Sequence, residues 1–369
     1  MDIMLIGMLL GGLVLLVVGA EVLVRGATKV AAIFGISPLV IGLTVVAFGT
    51  STPELAVSIQ AGLSGSPDIA IANVVGSNIF NILFTLGLCA LILPLIVAQQ
   101  LVRLDVPLMI GLSVLTVLFS LDGRIGWLDG LCFISIFVIY NVWAIRKSRK
   151  ETAAVQAEYA QEYGPQIAPP VTPLEIAKNT ALIIGGLLIL VLGARWLIDG
   201  AVILARILGV SDIIIGLTII AAGTSLPEVA TSVIATLRNE RDIAIGNVVG
   251  SNIYNILAIL GISSIVTPGG LVVDPAMLNF DMIVMTAVAF ACLPIFFAGY
   301  TITRWNGALL FGGYIAYAAY LVLAATQHDA LPMFSNTMLF FVLPIVAITL
   351  IFIALRALRT QPPGNIAVR

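Results

Sequence analysis

The chain has 369 residues, of which 60% are hydrophobic and only 10% charged, and its net charge is −2. Soluble domains average roughly half apolar and a quarter charged, so this composition excludes a soluble globular protein. With the charge near zero and no basic patch interleaved with aromatics, it also excludes a nucleic-acid binder. Cys89, Cys132 and Cys292 lie in apolar stretches without the spacing of a metal site or a disulfide framework. His328 is the single histidine and sits in a short polar loop, which leaves no histidine proton relay.

In chain order, apolar runs long enough to span a bilayer predict helices at 3–24, 32–63, 69–93, 104–121 and 126–145. A second set follows at 176–198, 207–237, 243–266, 279–298 and 304–324, and an extra apolar segment at 334–356 predicts an eleventh, peripheral helix. The first run has no basic n-region and no small-residue cleavage site, so it reads as a span rather than a removable signal.

The two sets are copies. Shifted by 174, residues 39–88 fall on 213–262 with 30 of 50 positions identical, and GGLVLLVVGAEVLVRGA at 11–27 lies over GGLLILVLGARWLIDGA at 185–201. The match fades beyond Pro94 and Pro268. The expected organisation is a first repeat at 1–145, a linker at 146–173, a second repeat at 174–325 and a C-terminal helix and tail at 326–369. Five spans per repeat is an odd number, so the second copy enters the membrane from the opposite side. That predicts an all-α membrane protein of two inverted five-helix repeats, with a substrate site near the midplane where they meet. With the N-terminus outside, about 14 of the 17 basic residues, including Arg25, Lys29, Arg103, Arg146, Lys147, Arg149, Arg238, Arg241, Arg304 and Arg356, face the cytoplasm with the linker. The linker, rich in Glu, Gln, Ala and Pro, predicts a short connector.

Each repeat carries a carboxylate inside a span, within GTSTPELA at 49–56 and GTSLPEVA at 223–230. A charge at membrane depth is costly and marks an ion path or a proton relay. Ala47, Thr50, Ser51 and Glu54 are spaced to share one helical face; Ala221, Thr224, Ser225 and Glu228 repeat it. Pro53 and Pro227 cannot donate backbone N–H groups, so each helix should break there and free carbonyls toward a ligand. The next span supplies a partner face: Asn73, Ser77 and Asn81, then Asn247, Ser251 and Asn255, all spaced i, i+4, i+8. Gly76 and Gly250 between them permit close helix approach. Every donor in this set is oxygen, which suits a hard cation with flexible coordination such as Ca²⁺ and gives no thiolate or imidazole for zinc or copper. Two carboxylates balance one Ca²⁺, or nearly balance two or three Na⁺.

GTSTPE and GTSLPE, followed by GSNIFNI and GSNIYNI, resemble the two alpha-repeats of the sodium/calcium exchanger family of the calcium/cation antiporter superfamily. The resemblance covers both halves and implies exchange of Na⁺ for Ca²⁺ by alternating access, with no cofactor; the lack of large soluble domains and of an organelle signal makes a prokaryotic plasma (inner) membrane the expected location. By motif it implies that Ca²⁺ and Na⁺ share Glu54 and Glu228, and that Thr50 and Thr224 offer carbonyls to Ca²⁺. Ala47, Ser51, Ser77, Ala221, Ser225 and Ser251 would line flanking Na⁺ sites, with Asn81 and Asn255 beside the central position. Several relatives carry Asp at one of those two asparagines, and potassium-dependent members use acidic residues there. Asn at both places argues against K⁺ co-transport. The Thr-Ser beside each glutamate favours Na⁺ over H⁺, so H⁺- or K⁺-coupled Ca²⁺ exchange is the alternative. A channel fits the broken, inverted repeats less well. An intramembrane hydrolase lacks any Ser/His or Ser/Lys dyad or ligating histidine.

The bland readings are helix–helix glue for the Asn/Ser faces, and interfacial ion pairs for Glu21/Arg25 and Arg195/Asp199. The run Arg146, Lys147, Arg149, Lys150 reads as an orientation signal and lipid anchor, and the four tryptophans as interfacial belt residues.

Overall fold

The computed structural model describes residues 3–163, 172–215, 218–219 and 221–360. The first half comprises α1 (Ile3–Phe34), α2 (Pro38–Thr50), α3 (Thr52–Leu63), α4 (Pro67–Ile92), α5 (Leu101–Phe119) and α6 (Trp127–Tyr163). The second comprises α7 (Pro173–Ile207), α8 (Asp212–Ile215), α9 (Ala221–Gly223), α10 (Leu226–Leu237), α11 (Arg241–Val266), α12 (Met277–Phe297) and α13 (Arg304–Ala325). A final helix, α14, occupies 331–360. α2 and α3 form one span bent by 44° at Ser51, and α8, α9 and α10 occupy the equivalent stretch of the second half. Among the described residues nine helices, α14 included, are long and apolar enough to span, and the bent α2–α3 pair makes a tenth; α8–α10 stand where the repeat expects one more.

Close packing shows the inversion directly. A Cβ built on Gly12 would stand 2.9 Å from the Gly193 carbonyl oxygen, and one on Gly19 would stand 2.9 Å from that of Gly186. Seven residues forward on α1 is seven backward on α7, so these equivalent helices run antiparallel. Only glycine lets two backbones approach this closely in a membrane. Two short strand pairs repeat the exchange: β1 (Leu95–Ile96) pairs with β4 (Thr301–Ile302), and β2 (Arg124–Ile125) pairs with β3 (Leu271–Val272), all antiparallel. Each pair joins one strand from each half, so a pseudo-twofold axis passes between them. The main core gathers around α4, α5, α11 and α12, while α1 and α7 form a separate cluster at its edge.

Several boundaries differ from expectation. α1 and α7 run ten and nine residues beyond 24 and 198, because Glu21/Arg25 and Arg195/Asp199 lie inside these helices rather than at their ends. Glu21 is held by Arg25 at 2.5 Å and also pairs with Arg238, just past α10. The second span begins at Pro38 rather than 32, because Gly35 (φ +60°) turns the chain and Ser37 caps the new helix. α6 continues through Tyr163 into the expected linker, of which 164–171 lie outside the described residues. α14 packs on α12 and exposes most of its large apolar side chains, as a peripheral helix does in lipid. The tail 361–369 lies outside the described residues.

Candidate cation-binding site

Proline at the second position of α3 and of α10 starts each half-helix, where its missing N–H costs nothing. The residue at each break has the same backbone: Ser51 at φ −82°, ψ 7° and Ser225 at φ −89°, ψ 8°. Glu54 and Glu228 follow in the first turn of the half-helices, where the N-terminal end of the helix dipole favours negative charge. Both carboxylates are 1% exposed.

The halves interlock across the pseudo-twofold axis. Ser51 Oγ donates to Glu228 Oε1 at 2.9 Å, and Ser225 Oγ to Glu54 Oε1 at 2.9 Å. Ser225 also lies 3.1 Å from Ser77, and Ser251 donates to Glu228 at 3.5 Å. Each glutamate is thus held by the other half's broken helix, and each keeps its second oxygen, Oε2, without a protein partner. The two acids face one shared space rather than lipid.

Asn73 and Asn247 brace the breaks. Asn73 Nδ2 donates to the Glu54 carbonyl at 3.1 Å and to Ser58 Oγ at 3.0 Å. Asn247 Nδ2 makes the equivalent bonds to the Glu228 carbonyl at 3.4 Å and to Ser232 at 2.9 Å. Their oxygens accept across the axis from Thr224 at 3.4 Å and from Thr50 at 3.1 Å. Both amides are committed to holding the half-helices, so their part in the site is to fix where the acids point. Ser58 and Ser232 escaped the sequence reading, although each stands four residues past a motif glutamate. Ala47 is fully buried in α2, while the side chain of Ala221 lies outside the described residues.

Asn81 and Asn255 each begin a wide π-helical turn, Asn81–Leu86 and Asn255–Leu260. Such turns inside α-helices gather at functional sites. Asn255 donates to Asn78 Oδ1 at 3.0 Å, whereas both amide atoms of Asn81 lack a protein partner.

The two sides of the site are not equivalent. A Cβ on Gly250 would lie 2.7 Å from the Leu43 Cα and 2.8 Å from the Ala47 Cβ, so α2 is packed tightly on α11. Among the described residues, a Cβ on Gly76, the equivalent residue, would meet nothing within 4 Å, and Gly76 itself is partly exposed where Gly250 is buried. Thr50 and Asn247 are fully buried; Thr224 and Asn73 are only partly so. Among the described residues, the face at Thr50 and Asn247 is sealed and the face at Thr224 and Asn73 is the more open.

A second duplicated motif was invisible at an offset of 174. Asp105 accepts from Tyr140 Oη at 2.9 Å and from Gln100 at 3.2 Å, and Asp281 accepts from Tyr317 Oη at 2.7 Å. These acids match at an offset of 176 and end equivalent π-helical turns. Each ties a fourth span to a fifth within one repeat. Replacing Tyr140 by Phe strips a fully buried acid of its best donor, so we expect a loss of about 1–3 kcal/mol of stability, read as a lower melting temperature, with ion exchange retained.

Comparison with known proteins agrees with this geometry. The family model described as sodium/calcium exchanger protein matches residues 4–146 and 178–323. The chain belongs to the sodium/calcium exchanger family. It is a multi-pass membrane protein and a cation antiporter, not an enzyme, and the substrates of its family are Ca²⁺ and Na⁺. It is 32% identical over 343 residues to the sodium/calcium exchanger MaX1 of Methanosarcina acetivorans, a match covering 85% of this chain and 97% of that one. It is 36% identical over 327 residues to the inner membrane protein YrbG of Escherichia coli, covering 85% and 95%. The solved sodium-calcium exchanger NCX_Mj superposes with a TM-score of 0.73 at 33% identity, covering 87% of this chain and all of that chain.

Proposed function

We propose that this antiporter couples Na⁺ entry to Ca²⁺ movement in the opposite direction, in a prokaryotic inner membrane, by alternating access at the Glu54/Glu228 pair. The observation that carries the reading is the reciprocal crossing of Ser51 to Glu228 and Ser225 to Glu54. Two acids facing one space, with Ser, Thr, Asn and carbonyl oxygens around them, supply charge −2 and a flexible oxygen shell. That suits a single Ca²⁺, or Na⁺ ions competing for the same oxygens. Glu54 and Glu228 bind both ions. Thr50 and Thr224 lend carbonyls to Ca²⁺; Ala47, Ser51, Ser77, Ala221, Ser225 and Ser251 line the Na⁺ positions; and Asn81 and Asn255 flank the centre. Asn73 and Asn247 act at one remove, through the half-helices they brace.

Na⁺ coupling is supported by the names of the relatives MaX1 and NCX_Mj, and by neutral asparagine at both 81 and 255. The excess of basic residues sets the N-terminus outside and residues 146–173 in the cytoplasm. In that orientation the seam at Gly250 closes the cytoplasmic side, and the open face beside Gly76 looks outward.

Proteoliposomes loaded with Na⁺ should accumulate Ca²⁺ when diluted into Na⁺-free medium, and imposed H⁺ or K⁺ gradients alone should drive none. Uptake that follows a proton or potassium gradient and ignores Na⁺ would overturn the coupling while leaving Ca²⁺ antiport intact.

A further inference from the structure

Helical threonines in this chain follow one habit. Thr44, Thr116, Thr218, Thr236 and Thr286 each donate the hydroxyl to the carbonyl four residues back, at 2.6–2.8 Å. That bond satisfies a hydroxyl without any tertiary partner. Thr85 and Thr231 break the habit. Both are 0% exposed, and neither hydroxyl has a protein partner.

The two hydroxyls stand at the same level. Thr85 is four residues past Asn81 on α4, and Thr231 is three past Glu228 on α10, about one turn in each case. Eight residues past the same two starting points, the Cys89 thiol meets the Thr236 hydroxyl. α4 and α10 therefore run side by side and parallel from the acids to that contact. The seam they enclose holds five buried polar atoms without protein partners: Glu228 Oε2, Asn81 Nδ2 and Oδ1, Thr85 Oγ1 and Thr231 Oγ1.

The two hydroxyls are not part of the duplicated motif. The equivalent positions on α3 and α11 are Val57, which is exposed, and Ile259, which is buried. Asn255 there is tied to Asn78, whereas Asn81 is not tied at all. Unpaired hydroxyls in a dry core cost stability, and two of them about one turn from Asn81 and Glu228 call for a ligand; the sister side also has unpartnered hydroxyls, Ser263 and Thr267, but these lie eight and twelve residues past Asn255.

We propose that Asn81 Oδ1, Thr85, Thr231 and the second oxygen of Glu228 form an additional cation site for a monovalent hard cation, Na⁺, one turn from the acid pair. All four donors are oxygen, which selects a hard ion. One carboxylate balances one positive charge, whereas a divalent ion would be left half compensated in a low-dielectric seam. The site lies on the sealed side, because α10 ends beside the start of α11, the part of α11 that packs against α2. An ion held there leaves only when that side opens. The two repeats would then do different work despite their shared motif, with Glu228 serving two sites and Glu54 one. This inference rests on the exchanger reading of the acid pair.

The test is equilibrium ²²Na⁺ binding to the purified full-length protein, with thermal unfolding in Na⁺ and in choline. The isosteric double variant Thr85→Val/Thr231→Val should bind one Na⁺ fewer than wild type and lose part of the Na⁺-dependent rise in melting temperature. Thr85→Ser/Thr231→Ser, which restores both hydroxyls, should recover both. Equal Na⁺ stoichiometry in the valine variant overturns the site and assigns the hydroxyls to buried water. Failure of the valine variant to fold in either salt overturns it too, by making the hydroxyls structural. The exchange reading fails separately: a wild type whose Ca²⁺ uptake ignores a Na⁺ gradient, yet whose bound Na⁺ drops with the valines, loses the coupling and keeps the site.

Discussion

Glu54→Gln and Glu228→Gln are each expected to abolish Ca²⁺ uptake while the protein stays folded and membrane-inserted. Glutamine has nearly the same volume, and its amide oxygen still accepts the serine hydroxyl from the opposite half. The fold therefore loses little. The ion loses one of the two charges that balance it. At about 4 Å and an effective dielectric near 20, one such charge is worth roughly 4 kcal/mol per unit of cation charge, so a divalent ion loses about a thousandfold in affinity or more. Uptake of ⁴⁵Ca²⁺ into proteoliposomes, beside size-exclusion profiles of the purified variants, separates loss of binding from loss of fold. Wild-type uptake by either variant would remove that glutamate from the site.

Gly76→Val is expected to slow turnover about 5- to 150-fold while leaving the protein folded and able to bind Ca²⁺. In the present conformation Gly76 is partly exposed, and the new Cβ meets nothing within 4 Å among the described residues. Its equivalent, Gly250, is already pressed against Leu43 and Ala47. If the halves exchange roles during transport, the backbone of the second broken stretch must close on residue 76 as α2 closes on 250. Overpacking of that kind costs about 1–3 kcal/mol in the closed state alone, which shifts the equilibrium against it by about 5- to 150-fold. Gly250→Val makes the contrast, since it should destabilise the sealed conformation at once and lower the melting temperature. A Gly76→Val protein that turns over at the wild-type rate would mean that the open face never closes in this way.

Much of the architecture is written in the chain because duplication makes it redundant. Two copies of a Thr-Ser-x-Pro-Glu break, each followed by an Asn/Ser face, give the site, its membrane depth and its oxygen chemistry without coordinates. The odd number of spans per copy gives the inversion. The reading erred where charge was taken as a boundary: Glu21 and Arg195 were placed at span ends, yet they lie inside α1 and α7. A long helix at the edge of the bundle can carry such groups when a partner reaches them, as Arg238 reaches Glu21. The Asp105–Tyr140 and Asp281–Tyr317 pairs were missed because the repeat offset grows from 174 to 176 at the acids and 177 at the tyrosines, which moves them out of register.

The sequence by itself determined what the two halves have in common: broken helices, paired acids, opposed orientation and hard-cation donors. Shared residues can specify only shared geometry. Tertiary packing decided how the halves differ. It sealed Gly250 and left Gly76 partly exposed, tied Asn255 to Asn78 while freeing Asn81, and left Thr85 and Thr231 unpaired where the sister positions are Val57 and Ile259. A near-symmetric chain has two near-equivalent ways to close around one site, and only the summed contacts of the folded molecule select which side is shut.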